Sequence, residues 1–206
     1  MKNKLIVVAG CSGSGKTTIA KKILDSFKPG WAQIICLDRF YLKVKNKIPK
    51  LNIKGEINFD HPLAFDWHLV IKSIRNLLND KSTMIPTYNY KISNRERYGE
   101  LVKPTRFIIL EGIMPLFDNK ISSLAVLKVF VDAPLDECFI RRLLRDKNER
   151  GRSIQAIVNQ WLGSVRPMYT QYVEPTKTKA DLILPWHKLN VNGLKHLIEA
   201  IRHIHK

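Results

Sequence analysis

The segment Gly10-Cys-Ser-Gly-Ser-Gly15-Lys16-Thr17 decides the fold class of this chain of 206 residues. It matches the pattern GxxxxGK[ST], in which the backbone N–H groups of a glycine-rich loop surround phosphate groups. The β-branched run at residues 5–9 comes directly before it and predicts a strand buried on both faces. Residues 16–28 carry apolar side chains at helical spacing, and Pro29-Gly30 follows as a stop signal. A strand, a phosphate loop and a helix in this order predict a nucleotide-binding α/β domain.

Each residue type in this loop has a chemical reason. Glycines let the N–H groups turn towards phosphate oxygens without a Cβ clash, and the following helix adds its positive N-terminal end. Lys16 brings a positive charge to the β- and γ-phosphates, and the hydroxyl of Thr17 can bind Mg²⁺. The loop alone does not separate ATPases, GTPases and transferases. The residues that we expect to bind the nucleotide are Gly10, Ser12, Gly13, Ser14, Gly15, Lys16, Thr17 and Thr18.

Further apolar runs alternate with helical patterns along the rest of the chain. Four of these runs predict buried strands, at residues 33–37, 107–110, 127–131 and 181–184. Spacing and end signals predict a helix that begins at Pro62 with Asp60 as a candidate cap, and further helices at residues 135–144, up to 172, and at 190–205. Strands that alternate with helices predict a five-stranded parallel sheet with helices on both faces, the three-layer fold of P-loop nucleoside triphosphatases.

Three segments do not fit this alternation. Residues 84–104 contain short alternating pieces and turn formers, which predict a β-hairpin excursion. The arginine-rich residues 145–153 include Gly151, and we expect a hinged lid there. The Lys-rich residues 42–60 predict a loop. We expect all of these segments to belong to one domain over residues 1–206.

The formal net charge of +17 permits two interpretations. One is a nucleic-acid or anionic-membrane partner, and the other is a phosphate-handling enzyme whose surface has accumulated lysine. The lysines are scattered along the chain and form no long run of the kind that marks a basic tail. This pattern favours the enzyme, and we expect neither a nucleic-acid nor a membrane partner.

The cysteines and the apolar runs indicate the compartment. Cys11, Cys36 and Cys138 are odd in number and widely spaced, with no CxxC or zinc-ligand pattern, which is typical of a reducing setting. The apolar run near the N-terminus is too short for a secretory signal, and no run approaches the roughly 20 residues that span a bilayer. We therefore expect a cytoplasmic protein.

Two carboxylates follow predicted strands at the edge where parallel sheets bind their ligands. Asp38 could face the γ-phosphate and accept the proton of an attacking hydroxyl, although Asp is also common in turns after strands. Glu111 interrupts an apolar strand end, and a buried carboxylate there needs a cationic partner. A metal ion shared with Thr17 is the favoured partner, and an arginine is the alternative.

Beyond the loop, short segments from residue 6 to residue 185 resemble the uridine kinases (uridine–cytidine kinases) of the phosphoribulokinase/uridine kinase family. The most specific are the segments at residues 58–66 and 145–152. In order, the matching segments are Asp38-Arg-Phe-Tyr41, Asn58-Phe-Asp-His-Pro-Leu-Ala-Phe-Asp66, Pro86-Thr-Tyr88, Glu111-Gly-Ile113, Arg142-Leu-Leu-Arg145-Asp-Lys-Asn-Glu-Arg150-Gly-Arg152, Glu174-Pro-Thr-Lys177 and Ala180-Asp181.

This resemblance implies an activity and its cofactors. It implies a nucleoside kinase that phosphorylates the 5′-hydroxyl of uridine or cytidine and forms UMP or CMP in pyrimidine salvage. The implied donor is ATP, with GTP as an alternative, and the implied cofactor is Mg²⁺. The implied assembly is a homotetramer.

The resemblance also implies roles on the catalytic side. Asp38 matches the catalytic base and lies near the metal, whose implied ligands are Thr17 and Glu111. Positive charge for the transferred phosphoryl group is implied for Lys16 and for three lid arginines, which are Arg145, Arg150 and Arg152. The alternative for the arginine run is a solvated helix end, where mixed charges are common.

On the nucleoside side, the resemblance implies that Asp60 holds the ribose hydroxyls, which suits an ionised carboxylate that accepts two hydrogen bonds. Tyr41 and Tyr88 match aromatic residues of the nucleoside pocket, and Arg142 and Gln160 match further contacts to the nucleoside. Asp60 could instead serve only as a helix cap, and Tyr88 could be ordinary hairpin packing.

Two residues depart from the family pattern. Arg39 stands where a small residue usually follows the catalytic Asp, and strand alternation predicts that it turns away from Asp38. Ser93 stands where the hairpin usually carries a His that touches the base. These departures support an alternative acceptor, another small alcohol or ribosyl metabolite. A nucleotide-gated nucleic-acid-binding protein, suggested by the net charge, is the alternative from a different class.

Overall fold

The computed structural model describes residues 3–43, 57–90, 92–187 and 190–204. Most of the loop predicted at residues 42–60 therefore lies outside the described residues. The strands of the described part are β1 (Lys4–Gly10), β2 (Ala32–Cys36), β3 (Thr83–Asn89), β4 (Asn94–Val102), β5 (Phe107–Gly112), β6 (Ala125–Asp132) and β7 (Leu182–Pro185).

The helices surround this sheet and also form a long segment before β7. They are α1 (Lys16–Asp25), α2 (Trp67–Leu78), α3 (Asn119–Leu124), α4 (Leu135–Asn148), α5 (Ile154–Gln160), α6 (Arg166–Met168) and α7 (Val191–Ile204). Wider π-helical turns at Trp161–Val165 and Tyr169–Val173 and a tight helical segment at Glu174–Lys179 continue the chain from α5 towards β7. Among the described residues, no helix is long and apolar enough to cross a membrane.

Five strands form one parallel sheet in the order β2-β5-β1-β6-β7. The side chains of β1 alternate between two apolar cores: Leu5 and Val7 lie in the core that contains α2, and Ile6 and Val8 lie in the core that contains α1 and α7. A central strand that is buried on both faces needs helices on both faces. The predicted fold, a five-stranded parallel sheet of the P-loop type, is confirmed.

The register of the sheet brings three strand ends together. Val8 pairs with Glu111 on β5, and Cys36 pairs with the same residue from the other side. Asp38 follows two residues after Cys36, in a tight helical turn at Leu37–Phe40. The end of β1, Glu111 and Asp38 therefore lie side by side at the carboxyl edge of the sheet.

Strands β3 and β4 pair with each other as the predicted antiparallel hairpin and stand outside the main sheet. Arg39 donates a hydrogen bond from Nε to the carbonyl oxygen of Pro86 at 2.8 Å and pairs with Glu100 at 2.9 Å. In return, Arg95 donates to the carbonyl oxygen of Phe40 at 2.9 Å. These contacts fasten the hairpin to the turn that carries Asp38. The premise that Arg39 belongs to a strand was wrong, because β2 ends at Cys36.

The boundary of α2 also differs from the prediction. Pro62 begins a separate short turn, Pro62–Ala64, and Phe65 is extended, so α2 begins only at Trp67. Asp66 is its cap and accepts a hydrogen bond from the backbone N–H of Leu69 at 3.1 Å. Asp60 therefore does not cap this helix, and the two acidic residues before the apolar run could not be separated by sequence.

Two other boundaries moved for physical reasons, and one helix was not predicted. The first helix ends at Asp25, and the backbone N–H of Ser26 closes its last turn. Helix α4 continues to Asn148, because the charged residues after 144 pair among themselves on its last turn. The six-residue helix α3 was not predicted, since it is too short to show a period and is recognisable only by its cap, Asp118.

Candidate active site

The phosphate loop lies between β1 and α1, and two of its glycines are required by their surroundings. Gly13 and Gly15 have φ values of 86° and 97°, in the left-handed region. A Cβ atom at Gly13 would lie 2.2 Å from the carbonyl oxygen of Cys138 on α4, and one at Gly15 would lie 2.5 Å from the ring of Trp186. Helix α4 and the segment after β7 therefore pack directly against the loop.

Lys16 and Thr17 begin α1 and point towards the loop and the sheet edge. The ammonium group of Lys16 is buried and donates to the carbonyl oxygen of Cys11 at 3.3 Å, so that it lies folded over the loop. The hydroxyl of Thr17 donates to Oε2 of Glu111 at 3.3 Å. The loop and the end of β5 thus form one continuous polar surface.

Glu111 has the features of a ligand for a hard cation. It is only 4% exposed, and burial raises its pKa, with the charge of Lys16 opposing and that of Asp38 adding to the increase. A buried carboxylate beside a hydroxyl offers the oxygen atoms that Mg²⁺ prefers. No cluster of three or more His, Cys, Asp or Glu side chains suited to a metal ion occurs among the described residues.

Asp38 accepts a hydrogen bond from a residue that the sequence analysis did not single out. The hydroxyl of Tyr90 donates to Oδ2 of Asp38 at 3.3 Å. The ring of Tyr90 lies 5.2 Å from that of Tyr88 and under the guanidinium group of Arg150, at 4.5 Å. The signal that could have found Tyr90 is its spacing of two from Tyr88, which places both rings on one face of an extended segment.

Asp60 lies beside the phosphate loop and lines a cavity together with Cys11 and Ser12. It is 7% exposed and accepts a hydrogen bond from the hydroxyl of Ser164 at 2.8 Å. Burial raises its pKa, and the nearby charge of Arg142 and the bond from Ser164 oppose this increase. Ser164 was also missed by sequence reasoning, because it lies 104 residues away on a π-helical turn. A small cavity of about 10 Å³ lies between Asp60 and the loop.

An aromatic wall of Tyr41, Phe65 and Tyr88 connects the hairpin to the segments around residues 41 and 65. Tyr41 is buried, stacks on Phe65 at 4.5 Å and lies 5.3 Å from Tyr88. Ser93 sits in the hairpin turn with a left-handed φ of 49°; burial raises the pKa of the nearby Tyr88 phenol, and the Ser93 hydroxyl partly opposes this increase. Ser93 therefore touches the aromatic wall, at the position where the family pattern has a larger His.

The arginines of the predicted lid converge on one acidic residue. Arg142 is 6% exposed and donates to the hydroxyl of Ser12 and to Oε1 of Gln160, each at 2.8 Å. Arg145, Arg150 and Arg152 do not extend into solvent as a free helix end would. All three, together with Arg142, lie within ion-pair distance of Asp146. Asp146 was not singled out by the sequence analysis, although it stands inside the arginine run.

The structure thus brings the phosphate loop, Asp38 and Glu111 together at the carboxyl edge of the sheet. The hairpin contacts this edge through Tyr90, which binds Asp38 and lies under Arg150 of the arginine cluster. The model of the Phosphoribulokinase / Uridine kinase family matches residues 5–191. The chain belongs to the phosphoribulokinase/uridine kinase family.

Curated members of this family align with nearly the whole chain. A uridine kinase of Mycoplasma genitalium is 44% identical, with 98% of this chain and 94% of that protein covered. A uridine kinase of Ureaplasma parvum is 39% identical, with 98% and 97% covered. A uridine kinase of Geobacillus is 42% identical, with 97% and 94% covered. This level of identity over full length agrees with the resemblance found in the sequence segments.

Solved structures of other kinases share the fold at low identity. Phosphoribulokinase from Rhodobacter spheroides superimposes with a TM-score of 0.66 at 18% identity, covering 89% of this chain and 70% of that one. D-glycerate 3-kinase from Cryptococcus neoformans gives a TM-score of 0.61 at 15% identity, covering 83% and 79%. At this level of identity these structures bear on the fold alone, which they share with this chain.

Proposed function

We propose that this chain is a uridine kinase, which transfers the γ-phosphoryl group of ATP to the 5′-hydroxyl of uridine and forms UMP and ADP. Cytidine is the second acceptor, so that the reaction serves pyrimidine salvage. The observation that carries the proposal is the arrangement of Asp38 beside Glu111, Thr17 and the phosphate loop, in a chain whose full-length relatives are named uridine kinase.

The phosphates of ATP would lie on the loop between β1 and α1. The N–H groups of the loop and the start of α1 attract the β- and γ-phosphates, and Lys16 adds a full charge. Thr17 and Glu111, with Asp38 nearby, would hold Mg²⁺, whose charge would neutralise part of the charge on the phosphates. GTP would use the same loop, because the loop contacts phosphates and not the base.

The nucleoside would lie between Asp60 and the hairpin. Asp60 is buried and already accepts one hydrogen bond, and its ionised form can accept two more from the ribose diol. Tyr41 and Tyr88 supply the aromatic surface for the base. Arg142 and Gln160, which hydrogen-bond to each other, close this side of the space.

Asp38 is the general base of the proposed reaction. The 5′-hydroxyl replaces the hydroxyl of Tyr90 at the carboxylate of Asp38, which accepts its proton as the oxygen attacks the γ-phosphorus in line. Lys16, Arg145, Arg150 and Arg152 stabilise the charge on the transferred group, and the lid residues exclude water that would otherwise hydrolyse ATP.

A substrate panel tests this proposal. ADP release is followed by a coupled assay with ATP, MgCl₂ and, in separate reactions, uridine, cytidine, adenosine and pantothenate. The proposal predicts turnover with uridine and cytidine well above the acceptor-free rate. Turnover with pantothenate or adenosine, and none with either pyrimidine nucleoside, would contradict it and favour another small-alcohol kinase. The predicted homotetramer can be tested on the same preparation by sedimentation.

A further inference from the structure

Asp146 is an unusual buried charge outside the residues assigned above. It lies in the last turn of α4 with 0% of its surface exposed. Its carboxylate contacts the guanidinium groups of Arg145 at 2.8 Å, Arg150 at 3.3 Å, Arg142 at 3.5 Å and Arg152 at 3.7 Å. A charge that is fully removed from water is costly unless it is paired, and here a single carboxylate is paired several times.

The cluster carries more positive than negative charge. Among the described residues, the ion pairs of Arg142, Arg145 and Arg150 all go to Asp146, so these three cations outnumber their carboxylate by two. Guanidinium groups this close would repel one another without Asp146. With Asp146 they stay together and retain an excess of positive charge, which a triphosphate can complement.

The two carboxylate oxygens of Asp146 differ in the contacts that they make. Oδ1 accepts from Nε of Arg145 at 2.9 Å and contacts Arg150, whereas Oδ2 makes only long contacts and has no hydrogen-bond partner in the described structure. Asp146 therefore holds part of the cluster firmly and part of it loosely. Arg142 and Arg152, which face Oδ2, are held instead by hydrogen bonds to Gln160, and Arg142 also donates to Ser12.

The arginine cluster contacts both the phosphate loop and the tyrosine that binds Asp38. Arg142 donates to the hydroxyl of Ser12 in the phosphate loop. Arg150 lies over the ring of Tyr90, whose hydroxyl binds Asp38. A displacement of the shared carboxylate would therefore move contacts at the phosphates and beside the base together.

We propose that Asp146 is a positioning residue for phosphoryl transfer, which holds the lid arginines together so that they reach the transferred phosphoryl group as a preorganised set. It acts through the arginines and contacts neither ATP nor the nucleoside. This inference rests on the proposed kinase function and adds a residue to it. Preorganised donors stabilise transition-state charge most, so the loss should appear in kcat and not in KM for uridine.

The first test replaces Asp146 by its neutral isostere. Asp146→Asn is expected to lower kcat roughly 10–100-fold and to leave KM for uridine within about twofold of wild type. The reason is that the arginines positioned by Asp146 stabilise charge in the transition state and do not bind uridine in the ground state. Asp136→Asn is the matched control, since Asp136 is an exposed acid on the same helix. It should leave kcat unchanged. Wild-type kcat in Asp146→Asn would overturn the inference.

A double-mutant cycle separates positioning from a merely structural role. If Asp146 acts through Arg145, the double variant Asp146→Asn/Arg145→Ala should have a kcat at most about twofold below that of Arg145→Ala alone. Losses that multiply independently would overturn the inference. If Asp146→Asn alone does not fold, the double variant Asp146→Asn/Arg152→Gln is used instead, because it carries less unbalanced charge. Its kcat is compared with that of Arg152→Gln. Equal kcat values for those two variants would also overturn it.

The wild-type control distinguishes the two proposals. If the wild-type protein does not phosphorylate uridine or cytidine, the proposed function fails and the kcat comparison has no basis. If the wild-type protein is active and the Asp146 variants match it, the proposed function stands and only the positioning role fails.

Discussion

Replacement of the buried carboxylate at position 60 tests how the nucleoside is held. Asp60→Asn keeps the size of the side chain and its bond with Ser164, but it removes the negative charge. A hydrogen bond to a charged group contributes about 1.5–3 kcal/mol, and the amide oxygen can still accept one neutral bond from the ribose. We therefore expect KM for uridine to rise about 10–100-fold, which corresponds to a loss of roughly 1.4–2.8 kcal/mol. KM for ATP should not change.

The pKa of Asp60 adds a dependence on pH. Because burial raises this pKa, the folded carboxyl group binds its proton at a higher pH than an ordinary aspartate does. Uridine binding by the wild-type protein should weaken as the pH falls through this raised pKa, and the Asn variant should not show this change. The raised pKa also means that ionisation of Asp60 opposes folding above the unfolded pKa. The neutral variant should therefore melt no lower than wild type at neutral pH.

The assay is a steady-state titration of uridine and of 2′-deoxyuridine at saturating ATP. Wild type should prefer uridine, because only uridine offers both ribose hydroxyls to Asp60, and Asp60→Asn should lose most of this preference. Asp136→Asn serves as an exposed control. The reasoning is refuted if the variant keeps its preference for uridine, or if it raises KM for ATP and not for uridine.

Two further predictions concern the catalytic side. Glu111→Gln removes the buried charge that would hold Mg²⁺. The MgCl₂ concentration for half-maximal activity should therefore rise about tenfold or more, since mutations around a metal site commonly have effects of this size. An unchanged MgCl₂ titration would contradict this assignment. Tyr90→Phe removes the hydroxyl that occupies Asp38 in the ligand-free site, so KM for uridine should fall about 2–10-fold, as expected when a competing hydrogen bond is lost. A raised KM in that titration would show that the Tyr90 hydroxyl helps the nucleoside instead.

The fold followed from local sequence patterns for a clear reason. Residues 5–9 and 107–110 are continuous apolar runs, and only strands covered on both faces bury such runs completely. The phosphate loop then fixes the position of the first strand and helix. The hairpin at β3 and β4 was predictable because alternation and turn residues are both local signals.

The contacts within the site were less predictable, because they join residues that are distant in sequence. Ser164 approaches Asp60 only through the π-helical turns before β7, and Tyr90 approaches Asp38 only because the hairpin folds back. The side-chain alternation of a strand was extended to Arg39, because the tight helical turn that begins at Leu37 leaves no clear mark in the sequence. Asp146 stands in a run of charged residues, and nothing in that run indicates that its side chain is buried.

The claim that Asp38 is the general base is tested most directly by Asp38→Asn. Coupled ADP release with uridine gives kcat, and titration with a fluorescent ATP analogue gives the nucleotide affinity of the same preparation. The account predicts that kcat falls roughly 10²–10⁴-fold, the usual contribution of a positioned base, while the Kd for the analogue stays within about twofold. A variant that retains the wild-type kcat, or one that loses nucleotide affinity as strongly as it loses turnover, would contradict the account.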